Sequence, residues 1–141
     1  MKFKKNQILT LDKYIHEHLY NNQNGYYMKN NPFGEDGDFI TSPNISILFS
    51  EMIAIWIISF WESLNCPKEF NLIELGAGNG EMMMDVVKSF ERFPLFKDCC
   101  KINILEKSPY LKKIQKIKLK NKKINGMKEI LKFQNQKNLD S

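Results

Sequence analysis

Arginine is almost missing from this chain of 141 residues: of 21 basic residues only Arg92 is one, and Asn, Lys and Ile are abundant throughout. The formal charge of +5 is therefore largely a matter of background composition. Residues 1–100 carry nine basic against thirteen acidic side chains, whereas residues 101–141 carry twelve against three. Such a basic tail attracts nucleic acid when aromatic rings alternate with the charges, but Tyr110 and Phe133 are its only rings, so no nucleic-acid partner is expected. Cysteine is scarce too. Cys66, Cys99 and Cys100 make no CxxC pair, and the adjacent two do not easily bridge within a regular element, so reduced thiols in a cytoplasmic compartment are the expectation. The two histidines, His16 and His18, point in different directions on a helix, so no metal site is expected. No glycine-rich loop ends in Gly-Lys-Ser/Thr, which excludes a Walker loop. The longest apolar stretch, Ile45 to Trp61, is interrupted by Ser46, Ser50, Glu51 and Ser59. It reads as a buried helix and not as a membrane span, because a span tolerates an ionised carboxylate poorly. The N-terminus, MKFKKNQILTLDKYIHEHLY, is too charged for a secretory signal.

What the chain does have is the segment NLIELGAGNG, Asn71 to Gly80, where an apolar strand pattern runs into Gly76, Gly78 and Gly80. Glycines at every second position let the backbone turn sharply and come close to a ligand, and the helix that follows offers free amide groups. Strands are predicted at Leu72 to Leu75 and Lys101 to Leu105, parallel and adjacent, joined by a right-handed crossover helix over Glu81 to Phe93. In that helix Met82, Met83, Val86, Val87 and Phe90 would cover the sheet, with Asp85, Lys88 and Glu91 in water. Glu74 and Glu81 flank the glycines and would repel a pyrophosphate. They suit a cofactor with a cation and a ribose but no phosphate, which describes S-adenosylmethionine. Glu106, at the carboxyl end of the second strand, is placed to accept hydrogen bonds from ribose hydroxyls.

Upstream, Ile8, Leu11, Ile15 and Leu19 mark one face of a docking helix. Residues 26–43 contain too many turn formers for a helix and read as an ordered loop tethered by Tyr26, Tyr27, Phe33 and Phe39. Ser42 and Pro43 look like the cap and first residue of the apolar helix. Within it, Glu51 is expected on the glycine-loop side, held by a backbone amide or touching a ligand. Pro94 to Cys100 reads as a loop. A last helix, Tyr110 to Leu119, follows Ser108 and Pro109, with Leu111, Ile114 and Ile117 inward and Lys112, Lys113 and Lys116 outward. Residues 121–141 read as a weak helix or a frayed tail.

Three blocks, YYMKNNPFGEDGDFITSPNISILFSEMIAIWIISFW, LIELGAGNGEMMMDVV and ILEKSPYLKKIQKIKL, resemble in order and approximate spacing a family of S-adenosylmethionine-dependent methyltransferases. Its mitochondrial members assist assembly of respiratory complex I by methylating arginine on a subunit. The resemblance covers about residues 10–120. It implies an α/β fold: a partial, Rossmann-like class I methyltransferase fold with an N-terminal helical extension, truncated after the second strand and its following helix. It also implies three regions, with a helical and loop extension over 1–69, a partial cofactor-binding unit over 70–120 and a basic tail over 121–141. By the same resemblance Gly76, Gly78, Gly80 and Glu106 bind S-adenosylmethionine, to which the charge argument adds Glu74, and Gly37, Asp38, Phe39, Thr41 and Ser42 resemble an N-terminal signature beside the active site. The chain departs from the family at Ala77, Asn79 and Glu81 and is far shorter. It therefore resembles an N-terminal fragment, whose partners would be a separately encoded C-terminal half or a complex I subunit. No catalytic residue is assigned; Asp38 or Glu51 would at most orient a guanidinium. The alternative is a noncatalytic protein that binds a partner through exposed apolar surface.

Overall fold

The computed structural model describes residues 8–120; the expected tail of 121–141 lies outside them. Two parallel strands form the sheet, β1 (Phe70–Leu75) and β2 (Cys100–Leu105), paired in register from Phe70 with Cys100 to Leu75 with Leu105. Both strands begin one or two residues earlier than the pattern of apolar residues predicts. Ahead of the sheet lie α1 (Leu11–Tyr20), α2 (Tyr26–Lys29), α3 (Ser42–Ile45) and α4 (Ile47–Ser63). Between the strands come α5 (Glu81–Phe90) and α6 (Pro94–Cys99), and α7 (Pro109–Lys118) follows β2.

The core lies on one face of the sheet. Phe70, Leu72, Ile102 and Ile104 point into it, where α4 supplies Ala54, Ile57, Ile58 and Trp61, α5 supplies Met83, Val86, Val87 and Phe90, and α6 supplies Phe96. Alternation along β1 puts Ile73 and Leu75 on the opposite face, where they stay exposed. A parallel sheet is ordinarily covered on both faces.

Several expectations need correction. The apolar helix is two helices: α3 starts after Thr41 and ends at Ser46, whose extended backbone breaks the run and whose Oγ accepts the Leu48 N–H to cap α4. That helix is buried along one side only, since Leu48, Met52 and Trp56 on its other side are exposed. No helix among the described residues is long and apolar enough to cross a membrane. The docking helix α1 buries none of its residues. It is held at its C-terminal end, where Tyr20 stacks on Tyr27 with ring centroids 5.7 Å apart. The predicted loop at Pro94 to Cys100 is mostly α6, because Pro94 sits in the first helical turn, where its missing N–H costs nothing. α5 stops at Phe90, three residues short of the predicted end.

Within α5, Asp85 is buried and not solvated as expected. Burial raises its pKa, and the Glu81 charge adds to the effect. In α7, Leu111 is buried, but Ile117 is 77% exposed and Gln115 takes the inward place at 0%. That exchange of an isoleucine for a glutamine shapes the site.

Candidate functional site

Strand β1 ends in a loop whose three glycines all have positive φ, +70° at Gly76, +55° at Gly78 and +77° at Gly80. A side chain is strained in that region, so the spacing of the glycines follows from the backbone path. The loop is tied at both ends: the Gly76 N–H donates to the Leu105 carbonyl at 2.8 Å, and the Gly80 N–H to the Ala77 carbonyl at 2.8 Å. Asn79 Oδ1 accepts the Glu81 N–H in the first turn of α5, at 3.2 Å. Nothing lies within 4 Å of where a Cβ on Gly76 would stand, so that side of the loop is open.

A cleft of about 300 Å³ opens there, lined by Glu74, Gly76, Gly78, Glu81 and, from the N-terminal segment, Phe33, Thr41 and Ser42. Phe33 lies so close that a Cβ on Gly78 would stand 3.2 Å from its ring. Its place is set by the aromatic tether the sequence suggests: Phe33 stacks with Tyr27 at 6.1 Å, and the Tyr27 carbonyl accepts the Ser108 hydroxyl at the start of α7. Gly37 is required by this loop, because a Cβ there would stand 2.5 Å from the Pro32 carbonyl. Of the N-terminal signature, Thr41 and Ser42 reach the cleft, whereas Gly37, Asp38 and Phe39 are not among its lining residues. Asp38 instead accepts the Tyr26 hydroxyl, which raises the Tyr26 pKa to about 12.

The carboxylates are arranged differently from the expectation. Glu74 is half-buried beside the cleft and its Oε2 has no hydrogen-bond partner. Burial, with a smaller contribution from the Glu106 charge, pushes its pKa up to about 7. Glu81 is paired with Lys118, so its charge is offset from within the fold. Glu106 is 7% exposed and lies behind the loop. It accepts the Ser108 N–H at 2.9 Å and the Gln115 amide at 3.4 Å. Gln115 Nε2 also donates to the Gly78 carbonyl at 2.8 Å, and its side chain packs 3.3 Å from where a Cβ on Gly80 would be. One glutamine thus joins the ribose-acid candidate to the glycine loop. Sequence reasoning missed it, as it missed the part played by Phe33; a polar residue in the inward heptad of α7 was the only available signal for the former. Glu51 is not on this side at all. It lines a separate cleft with Asp85, Lys88, Ser89 and Arg92.

Glu74 yields a pH prediction. A carboxyl whose pKa rises on folding from 4.5 to about 7 binds more protons in the native state. Its stabilising contribution is complete below the unfolded pKa and is lost as pH rises through the folded one. The loss is on the order of 3 kcal/mol at roughly 1.4 kcal/mol per pKa unit. Urea unfolding from about pH 5 to about pH 8 should show the native chain losing stability relative to Glu74→Gln across that window. Parallel curves for the two proteins would contradict the burial assigned to Glu74.

A parallel β-α-β unit with a left-handed glycine loop, an open cleft and an acid after the second strand defines an α/β protein of the Rossmann-like class. The chain belongs to the S-adenosyl-L-methionine-dependent methyltransferase family, whose profile matches residues 52–140. It is 42% identical over 125 residues to the mitochondrial protein arginine methyltransferase NDUFAF7 of Xenopus laevis, covering 87% of this chain and 29% of that one. The Drosophila melanogaster homolog is 43% identical over 107 residues, covering 76% and 24%, and the human protein 37% over 125 residues, covering 87% and 28%. The chain therefore spans less than a third of the length of these relatives. In fold it resembles a Burkholderia thailandensis protein crystallised with S-adenosyl-homocysteine, with a TM-score of 0.67 over 79% of this chain and 29% of that one at 23% identity. The cytoplasmic expectation is overturned: these NDUFAF7 relatives are named as mitochondrial proteins.

Proposed function

We propose that the chain supplies the glycine-loop side of an S-adenosylmethionine site, held by Glu74, Gly76, Gly78, Gly80 and Glu106, in a mitochondrial protein arginine methyltransferase. The observation that carries this is the partnerless Glu74 carboxylate at the edge of the open Gly76 cleft. A carboxylate with a raised pKa and a spare acceptor atom suits a cationic ligand, which would draw it into the charged form. With the Glu81 charge taken up by Lys118, Glu74 is the carboxylate left to meet the cofactor's sulfonium or amino group. Glu106 would take the ribose hydroxyls, exchanging its Gln115 contact for them. In this reading residues 1–69 close one side of the cleft through Phe33, Thr41 and Ser42, residues 70–120 form the cofactor-binding unit, and 121–141 are a basic tail. The cofactor supplies the methyl group; this chain's residues bind and orient it. A complex I subunit is the protein substrate that the family resemblance implies.

The chain by itself is expected to bind S-adenosylmethionine weakly, because these residues hold one side of the molecule. Calorimetry on the purified chain would measure the affinity. Glu106→Ala should weaken binding by about tenfold to a hundredfold, corresponding to roughly 1.5–3 kcal/mol per lost charged hydrogen bond. It also strips the acceptor from the buried Ser108 N–H, so Glu106→Gln serves as the variant that keeps that bond. Unchanged affinity in both variants would remove Glu106 from the site.

A second reading, a noncatalytic partner-binding protein, is favoured by one observation, the exposed apolar side of α4 at Leu48, Met52 and Trp56. Under it, the chain would fold with a partner and show no response to the cofactor.

A further inference from the structure

On the side of the core away from the glycine loop, α4 ends in a motif that turns the chain back on itself. The Cys66 N–H donates to the Trp61 carbonyl and the Asn65 N–H to the Glu62 carbonyl, at 3.2 and 2.9 Å. This is the 6→1 and 5→2 pattern of a Schellman termination, with Asn65 in the left-handed position at φ +61°. Cys66 follows at φ +52°. A non-glycine residue with positive φ is uncommon, and here two stand in succession.

Cys66 and Cys99 line one open cleft of about 340 Å³ together with Trp61, Pro67, Lys68, Leu95 and Asp98. The Trp61 indole N–H donates to the Pro67 carbonyl at 3.0 Å, and the Cys99 thiol donates to the Phe96 carbonyl at 3.1 Å. Cys66 is exposed, Cys99 half-buried, and both are free thiols. Cys100 sits on the strand beyond, where burial pushes its thiol up to about 12 and leaves it inert.

We propose that Cys66 and Cys99 are a reversible dithiol pair, oxidised by a small disulfide of the glutathione class to a bridge that clips the end of α4 to the end of α6. The exposed Cys66 thiolate attacks one sulfur of glutathione disulfide, forming a mixed disulfide and releasing one glutathione thiolate. The Cys99 thiolate then attacks the Cys66 sulfur, closing the protein bridge and releasing the second glutathione. Two protein thiols are oxidised, the small disulfide is reduced to two thiols, and the two protons leave with the glutathione molecules. Lys68 on the cleft rim offers a cation to a glutathione carboxylate. Burial raises the Cys99 pKa, with the Cys66 and Asp98 charges adding to it, so the closing step accelerates with pH.

The test is to incubate the full chain with glutathione disulfide and follow intact mass and the linked peptides. The wild type should lose two hydrogens with no retained glutathione, the link mapping to Cys66 and Cys99, and a reductant should restore both thiols. Cys99→Ser should trap one glutathione on Cys66, and Cys66→Ser should take up none. Cys100→Ser should still close the bridge. Cys66 is on the surface, so its serine variant is expected to keep the native circular dichroism. A wild type that keeps a stable glutathione adduct, a link between Cys99 and Cys100, or a bridge between two copies through Cys66 would each overturn the proposal.

Discussion

Replacing Phe96 by alanine should cost roughly 3–5 kcal/mol, the usual result of removing a fully buried phenylalanine and leaving part of its volume empty. Phe96 is 1% exposed and is the ring on which four elements converge. Its centroid lies 5.4 Å from Trp61 of α4, 5.5 Å from Phe70 of β1 and 4.7 Å from Phe90 of α5, with the Trp61 and Phe90 rings edge-on. Edge-to-face pairs of this kind add to the burial of area itself. A domain of this size has about 5–15 kcal/mol in all, and one whose sheet is covered on a single face belongs at the low end. Phe96→Ala should therefore abolish the cooperative thermal transition. The neighbouring Leu95, 79% exposed on the same helix, should tolerate alanine within about 0.5 kcal/mol. If the two substitutions shift the urea midpoint equally, the core has been placed wrongly.

The second large effect is on activity. Methyl transfer to a nitrogen depends on holding donor and acceptor in line and away from water, and alignment of that kind supplies much of the rate. The described residues hold an open cleft with Phe33, Thr41 and Ser42 on one wall and the glycine loop on the other. They leave Ile73 and Leu75 of the sheet exposed, and likewise Leu48, Met52 and Trp56 of α4. Given labelled S-adenosylmethionine and a protein with accessible arginines, the chain alone should transfer no measurable label. Adding a separately expressed polypeptide that corresponds to the rest of a relative's length should produce turnover, and protection of α4 from hydrogen exchange should appear with it. Turnover by the chain alone would refute the one-sided site. Protection of α4 by some other protein, without any response to cofactor, would support the partner-binding reading instead.

Much of the β-α-β unit was legible in the sequence. Glycine adopts positive φ freely and other residues do so uncommonly, so three glycines after a strand of alternating burial reported the loop and the start of α5 directly. The apolar periodicity of residues 81–90 did the same for the helix that crosses the sheet. Boundaries that depend on one hydrogen bond were not legible. Ser42 and Ser46 are both good caps by residue type, and only the geometry shows Ser46 Oγ accepting the Leu48 N–H and splitting the apolar run in two. Nor does a helical repeat say whether a helix finds anything to cover it: α1 has a clear apolar face and buries none of it.

The residue types of β1, the glycine loop and α5 by themselves determined the α/β character of this protein and the position of its left-handed glycine loop, because backbone freedom and apolar spacing are local properties of the chain. Which carboxylate is free was decided only by the tertiary structure. Glu74, Glu81 and Glu106 look alike in sequence, yet Lys118 pairs with the second, Ser108 and Gln115 bind the third, and the first is left half-buried without a partner for Oε2. Those partners lie from two to 37 residues away along the chain. The charge a carboxylate carries depends on burial and on such neighbours, and both are set only when α7 packs against the loop.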